Sequence, residues 1–380
     1  MKIINKEIAE INTPRVLINL DKLHSNLKMM QHYSESFKCK LRPHVKTHKC
    51  IDIAKMQMEF GASGITASKA DEAIVFIKAG IKDVLIAYPL VDIQKIQKCI
   101  ANAVESSCTL GFIVDSHDGM DILEKACSQY NYRCEVYLKI DVGLHRCGLE
   151  QGDPEILALA DRIKDNKNLH LQGILSHAGH SYRAENLSQL EQIAKKEIEI
   201  VLKVKNDLEK NGNSNIKISI GATPTLLVGI DIHEIDEIRP GNYVFLDRTS
   251  LSLGLITKDQ VSLTIIATVV SKNDDYVIID AGSKVLSSDK GAHGTNRLES
   301  YGRIYPEHYF LNDEYLHELI LLSEEHGFIK RDSYDFKIGE KVRIIPNHSC
   351  AVANLTDSYI VTRENKVISS WMVHARGKVL

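Results

Sequence analysis

No stretch of this sequence approaches the roughly 18 uninterrupted apolar residues of a membrane-spanning helix, so no membrane span is expected. The opening Met1-Lys2-Ile3-Ile4-Asn5-Lys6-Glu7 has a basic start but lacks the apolar core of a secretory signal. None of the eight cysteines (Cys39, Cys50, Cys99, Cys108, Cys127, Cys134, Cys147 and Cys350) forms a Cys-x-x-Cys pair. That removes the usual redox and zinc-ribbon signatures, and a chain of 380 residues needs no disulfide staples. Reduced thiols and a cytoplasmic location are expected. A net charge of only −3 gives no reason to invoke nucleic acid or an anionic membrane surface. No Gly-x-Gly-x-x-Gly opens a strand–helix unit, and no Gly-x-x-x-x-Gly-Lys is present. His233-Glu234 and His317-Glu318 lack the second histidine of a metalloprotease helix, since position 237 is Glu and position 321 is Leu. Repeats, low-complexity runs and proline-rich linkers are also missing.

What is present is an ordinary globular composition, 44% hydrophobic and 26% charged, in a chain long enough for one large and one smaller domain. Short apolar runs read as strands over 13–20, 40–46, 64–67, 83–88, 109–115, 135–141, 171–177, 217–221 and 237–246. Helical periodicity falls between most of them, at 49–60, 69–79, 92–103, 117–129, 154–164 and 186–211, with a helix also following the first strand from Asp21 as its cap. After the entry strand, eight strands joined by crossovers imply a parallel sheet, and eight is the number that closes a (β/α)8 barrel. Only a short helix at 223–230 links the last two. A doubly wound open sheet is the alternative, without its glycine fingerprint. Beyond about Leu251 the chain turns β-rich, at 261–271, 276–280, 341–345, 358–362 and 367–373, with one helical interruption at 313–326. The expected architecture is an α/β fold: residues 1–20 as a strand joining the β domain, 21–250 as a TIM-type barrel, and 251–380 as a mostly β domain.

Arg42-Pro43-His44-Val45-Lys46-Thr47-His48-Lys49 holds five basic or imidazole side chains in eight residues. Such a run is commonly a solvated face. At a strand end, however, a lysine can be held and partly desolvated, which favours a nucleophilic or Schiff-base role. The other strand ends are polar too: Asp141 to Gly148, Ser176 to Tyr182, Gly221-Ala222-Thr223 and Arg239-Pro240-Gly241-Asn242. Barrel enzymes place their sites there. Gly221-Ala222-Thr223 reads either as a plain turn or as a cradle for a phosphate on backbone N–H groups with the Thr223 hydroxyl. His348-Ser349-Cys350 reads either as an exposed histidine beside a buried cysteine or as a metal pair. In an extended segment residues two apart face one side, and a His/Cys set suits zinc.

Arg42 to Lys49 resembles the cofactor-lysine segment of the D-threonine aldolase/D-serine dehydratase family, pyridoxal-phosphate (PLP) enzymes of the alanine-racemase fold. The likeness runs through nearly the whole chain, from the entry strand to His348-x-Cys350 and Trp371–Gly377. It implies that Lys46 carries PLP as a Schiff base and acts as general base. It implies that Arg146 lies near the Lys46 side of the ring, that His177 and Tyr182 line the cofactor pocket, and that Gly221, Thr223, Gly241 and Asn242 hold the phosphate. Arg239 stands where alanine racemases place an arginine beside the pyridine nitrogen; a salt-bridged strand residue is the other reading. Asp280-Ala-Gly282-Ser-Lys284 also resembles a family segment, although a strand-to-turn connection accounts for it equally. His348 and Cys350 match the family's metal pair, implying Zn2+ or another divalent ion such as Mn2+, with positions left for water or substrate.

By the same resemblance the activity is a lyase on a D-3-hydroxy amino acid, with the metal assisting departure of the β-hydroxyl, so that D-serine gives pyruvate and ammonia. D-threonine aldolase chemistry, to glycine and acetaldehyde, uses the same parts. Within the family His-x-Cys resembles the dehydratases. A non-catalytic PLP-binding protein is a further alternative, but those single-barrel relatives lack a second domain. A homodimer is expected, as is a small-molecule partner only.

Overall fold

The computed structural model describes residues 4–292, 295, 297–312, 314–332 and 334–380. The chain divides into two compact units: residues 1–28, 47–50 and 242–376 form one, and residues 29–46, 51–241 and 377–380 the other. The first strand, β1 (Arg15–Asn19), belongs to the former.

The second unit is built on β2 (Lys40–Leu41), β3 (Ile65–Ala67), β4 (Asp83–Ile86), β5 (Thr109–Val114), β6 (Cys134–Lys139), β7 (Leu169–Leu175), β8 (Lys217–Ile220) and β9 (Glu237–Ile238). All pair in parallel, in the order β2-β9-β8-β7-β6-β5-β4-β3. The two ends of that order meet. Ser63 N–H donates to the Leu41 carbonyl and Thr66 N–H to the Pro43 carbonyl, both at 2.8 Å, and His44 pairs with Thr66. The ring is therefore closed. Strands such as Val84-Leu85-Ile86 are buried on both faces, as a barrel wall between interior and helices demands. Leu85, Ile113, Tyr137 and Leu175 pack as an interior cluster.

The helices begin where the sequence supplies caps. Asp92 accepts from Gln94 and Lys95, Ser116 from Gly119, and Asn186 from Gln189. Two strands are much shorter than their apolar runs suggested. β2 and β9 have two residues each, because Pro43 and Pro240 remove the N–H that would continue each ladder. Below them Arg42 bridges Glu237 (Nε to Oε2, 2.6 Å) and Asp83 (Nη2 to Oδ2, 3.0 Å), so this buried guanidinium is neutralised within the barrel.

The other unit contains β10 (Leu263–Lys272), β11 (Tyr276–Ile279), β12 (Gly302–Pro306), β13 (His317–Leu322), β14 (Gly327–Lys330), β15 (Lys341–Pro346), β16 (Ser358–Arg363) and β17 (Lys366–Met372). β10, β11, β14, β13, β12 and β15 pair in that order, and β15 returns to β10, giving a six-stranded antiparallel barrel. β1 extends it, antiparallel to β10 and parallel to β16, which pairs with β17. Ile8, Ile11, Leu17, Ile266, Ile360 and Val367 form a core beneath that extension.

Two expectations fail here. Of the helical interruption at 313–326, position 313 lies outside the described residues, and the rest is not helical. His317–Leu322 is strand, with burial alternating through its first residues as a pleated surface requires. Asp21 is not the cap of the first long helix, Leu20–Ser36; Asn19 Oδ1 accepts from Lys22 N–H at 3.0 Å instead. Among the described residues no helix is long and apolar enough to cross a membrane.

Candidate active site

Lys46 does not end a strand. Pro43 stops β2, and residues Val45–Thr47 make a tight 3-10 turn, with Lys46 N–H donating to His44 Nδ1 at 3.4 Å. The turn delivers Lys46 to a cavity of about 420 Å3 at the C-terminal ends of the barrel strands. Its wall is drawn from six strand ends: His44 and Lys46 after β2, Ser68 after β3, Ala87–Pro89 after β4, Lys139 with Arg146 and Cys147 at and beyond β6, Leu175 with His177 at β7, and Arg239 after β9. Four side chains of this wall are lysine or arginine and none is a carboxylate. Such a cavity is made for an anion.

The structure thus brings Lys46, Arg146 and His177 into one cavity. Arg146 is exposed at its rim. His177 Nδ1–H donates to the Gly221 carbonyl, which ties the loop after β7 to the loop after β8. Arg239 is buried and makes no salt bridge among the described residues: its Nε donates to Ser219 Oγ at 2.8 Å and its Nη2 to the Ser176 and Ser219 carbonyls. Burial lowers its pKa to about 10, against the pull of Glu237 and Glu197. The salt-bridge reading of Arg239 is therefore corrected.

Tyr182 is buried in the turn Gly179–Arg183 after β7, outside the cavity lining. Gly221, Thr223 and Gly241 also lie outside the lining, in the loops after β8 and β9. Thr223 opens the short helix Thr223–Leu227, is 1% exposed, and its Oγ1 has no hydrogen-bond partner among the described residues. A buried hydroxyl with unused capacity is costly unless a ligand fills it. A lysine amine, a cationic cavity and this open hydroxyl fit the phosphate and aldehyde of PLP.

Lys139 escaped the sequence reading. It is 5% exposed, Nζ donates to the Ile140 carbonyl at 2.8 Å, and burial lowers its pKa to about 8. The available signal was a lone basic residue inside Val136-Tyr137-Leu138-Lys139-Ile140.

Asn242 belongs to the other unit, and there it serves different neighbours. Its Nδ2 donates to Asp247 Oδ2 at 2.8 Å and Ser349 Oγ at 3.0 Å, and lies 3.8 Å from Cys350 Sγ. His348 and Cys350 lie together, but not along one face of a strand. β15 ends at Pro346, His348 is extended (φ −141°, ψ 98°), and Ser349–Leu355 is helical, so Cys350 sits in the first helical turn. Cys350 Sγ is 3.3 Å from Thr47 Oγ1, and His348 Nδ1 is 3.6 Å from an Asp289 carboxylate oxygen. Burial opposes both charged forms, yet each favours the other. The thiolate and Asp289 carry the His348 pKa up to about 10, and the imidazolium draws the Cys350 thiol below its ordinary value. A thiolate beside an imidazole is a donor pair suited to zinc. His348 Nδ1 also has no hydrogen-bond partner among the described residues. These two side chains fit a metal.

Asp280 is structural. It accepts from Thr268 N–H at 2.7 Å and from Thr13 Oγ1 at 2.6 Å.

Residues 18–249 match the family model "Alanine racemase, N-terminal domain", and residues 262–362 match "Putative serine dehydratase domain". The chain is 30% identical to D-serine dehydratase of Dictyostelium discoideum, over 97% of this chain and 98% of that protein. It is 29% identical to D-threo-3-hydroxyaspartate dehydratase of Delftia sp. (strain HT23), over 96% and 97%. Among solved structures, D-threonine aldolase from Filomicrobium marinum superposes with a TM-score of 0.89 at 27% identity, covering 99% of each chain. A cysteine-to-alanine mutant of the Delftia enzyme, described as the metal-free form, gives 0.89 at 28% identity, covering 97% of this chain and 98% of that one. With its barrel matched by the racemase model and its β-rich half by the dehydratase model, the chain belongs to the alanine-racemase-fold family of D-serine dehydratases and D-threonine aldolases.

Proposed function

We propose that this protein is a PLP- and metal-dependent lyase that removes water from a D-3-hydroxy amino acid, with D-serine giving pyruvate and ammonia. The observation that carries the reading is Lys46 in a carboxylate-free cationic cavity, in a chain that also pairs His348 with Cys350. Lys46 would hold the cofactor through Nζ, and the same amine, when free, would take the α-proton as general base. Thr223 donates its unused hydroxyl to the phosphate, with the Gly221 and Gly241 turns beside it. Arg146, His177 and Arg239, which line the cavity, would hold and orient the cofactor, with the buried Tyr182 in the turn after β7 supporting the pocket. Bound PLP supplies the electron sink for charge developing at the α-carbon. His348 and Cys350 hold the metal, which supplies a Lewis acid for the departing hydroxyl. Loss of water leaves an enamine, whose hydrolysis returns that water and releases ammonia.

Retro-aldol cleavage of D-threonine is the second reading, favoured by the equally high superposition on a D-threonine aldolase. Product analysis with D-serine and D-threonine separates the two. Pyruvate or 2-oxobutyrate with ammonia supports elimination, and glycine with acetaldehyde from D-threonine replaces it with the aldolase. Lys46→Ala is the control: it should abolish the visible absorbance of covalently held PLP, and retained absorbance would remove Lys46 from its role. A homodimer is part of the proposal, supported by the exposed apolar side chains Leu311, Tyr315, Leu316 and Ile338 on the β-rich unit.

A further inference from the structure

Asp247 is a carboxylate 1% exposed, and no lysine, arginine or histidine makes an ion pair with it among the described residues. Buried charges are ordinarily paired or attached to a metal. Its oxygens are instead spent on neutral donors. Oδ2 accepts from Ser349 N–H at 3.0 Å, Ser349 Oγ at 3.2 Å and Asn242 Nδ2 at 2.8 Å, while Oδ1 accepts from Thr249 N–H at 3.0 Å. Ser349 is the residue between His348 and Cys350. It is also the first residue of the helix that carries Cys350, and the preceding His348 contributes no side-chain cap.

We propose that Asp247 is the positioning residue of the metal pair: it fixes the turn between His348 and Cys350 through Ser349 N–H and supplies a second fixed negative charge beside the cation. The inference rests on reading His348 and Cys350 as metal ligands. The imidazole must present its nitrogen and the thiolate its sulfur to one point, and the only backbone between them is Ser349. A carboxylate that grips the N–H of Ser349 sets the angle between the two side chains. Asp247 acts through the segment it holds, since Oδ2 takes three donors, two of them from Ser349. Its charge and that of the Cys350 thiolate, both of which act on His348, would together offset a dication. Asn242 braces the same carboxylate oxygen.

The test is zinc affinity of the full-length PLP-bound protein, by competition with a chromophoric chelator, with the thiolate-to-cobalt absorption of the Co2+ form as spectroscopic readout. Cys350→Ala is the reference for loss of the site. Asp247→Asn keeps the size but offers one acceptor where two are needed, and is expected to weaken zinc by roughly 10–100-fold and to move the cobalt band. Ser349→Pro attacks the other end of the same hydrogen bond. Proline is tolerated at the first helical position and His348 is already extended, so this variant removes the N–H with little cost to the helix. It should weaken zinc to a similar extent, whereas Ser349→Ala, which keeps the N–H, should lose only several-fold. Wild-type affinity and an unmoved cobalt band in folded Asp247→Asn or Ser349→Pro protein would overturn the proposal and leave the metal pair standing. Zinc-free wild-type protein, or undiminished binding in Cys350→Ala, would overturn the metal pair and this proposal with it.

Discussion

In the function proposed above, a single hydroxyl and a single amine carry much of the barrel unit's part. Thr223 Oγ1 is buried without a partner, so its removal costs little in the cofactor-free protein and a full hydrogen bond in the loaded one. Thr223→Val is expected to leave the thermal midpoint of the apo form nearly unchanged and to weaken PLP about 10-fold, read by titration of cofactor absorbance. Lys139 acts on stability itself. Its pKa falls from an ordinary 10.5 to about 8 on folding, so between those values the unfolded chain binds the extra proton. Stability of the apo protein should therefore climb as pH rises from about 8 to about 10.5, by at most roughly 3 kcal/mol, and the full cost is present below pH 8. Lys139→Met should remove that climb in denaturant titrations across this range; an unchanged slope would refute it. Lys46 and His348-x-Cys350 could be singled out in the sequence because the residues that carry each signal are neighbours in the chain. Lys139 and Asp247 were not, because what matters about them is burial among residues far away in sequence. Arg239 was half legible: its place beyond β9 was visible, its serine partners were not.

At the scale of elements the sequence resolves the barrel better than the β-rich unit. Parallel strands buried on both faces are continuous apolar runs separated by capped helices, and those two signals alternate along residues 65–220. β13 has the opposite problem. Leu319-Ile320-Leu321-Leu322 is as apolar as a helix face, and its strand character comes from pairing with β12 and β14. The bulge at Gln172, where β6 and β7 change register, was equally hidden. It presses Gly173 against β8, so that a Cβ there would stand 2.7 Å from the Lys217 carbonyl carbon and 2.8 Å from its nitrogen. Backbone in a barrel wall cannot step aside. Gly173→Ala is expected to destabilise by about 1–3 kcal/mol or more, visible as an earlier thermal transition, with cofactor affinity falling only through loss of folded protein.

For the whole molecule, the homodimer reading predicts a particle of twice 42.7 kDa by light scattering, dissociated by charged substitutions at Leu311 and Ile338. Those side chains are 72% and 67% exposed. A monomer at micromolar concentration would contradict it. The composition gave no reason to invoke membrane or nucleic-acid partners and carried no trace of an interface, because exposure is a property of the folded surface. β1 has a consequence of another kind. Residues 15–19 lie between β10 and β16, pairing with 263–266 on one side and 360–362 on the other, so the extension of the β-rich sheet joins partners 343 residues apart in the chain, Leu17 with Ile360. On a ribosome the barrel strands emerge complete while β1 still waits for its neighbours. His348 and Cys350 leave the exit tunnel near the end. If Lys46 holds PLP and His348 and Cys350 hold a metal, as proposed above, the nascent chain would pass through an interval in which the cofactor lysine is already housed and the metal ligands are not yet made, and loading with PLP would come before loading with metal.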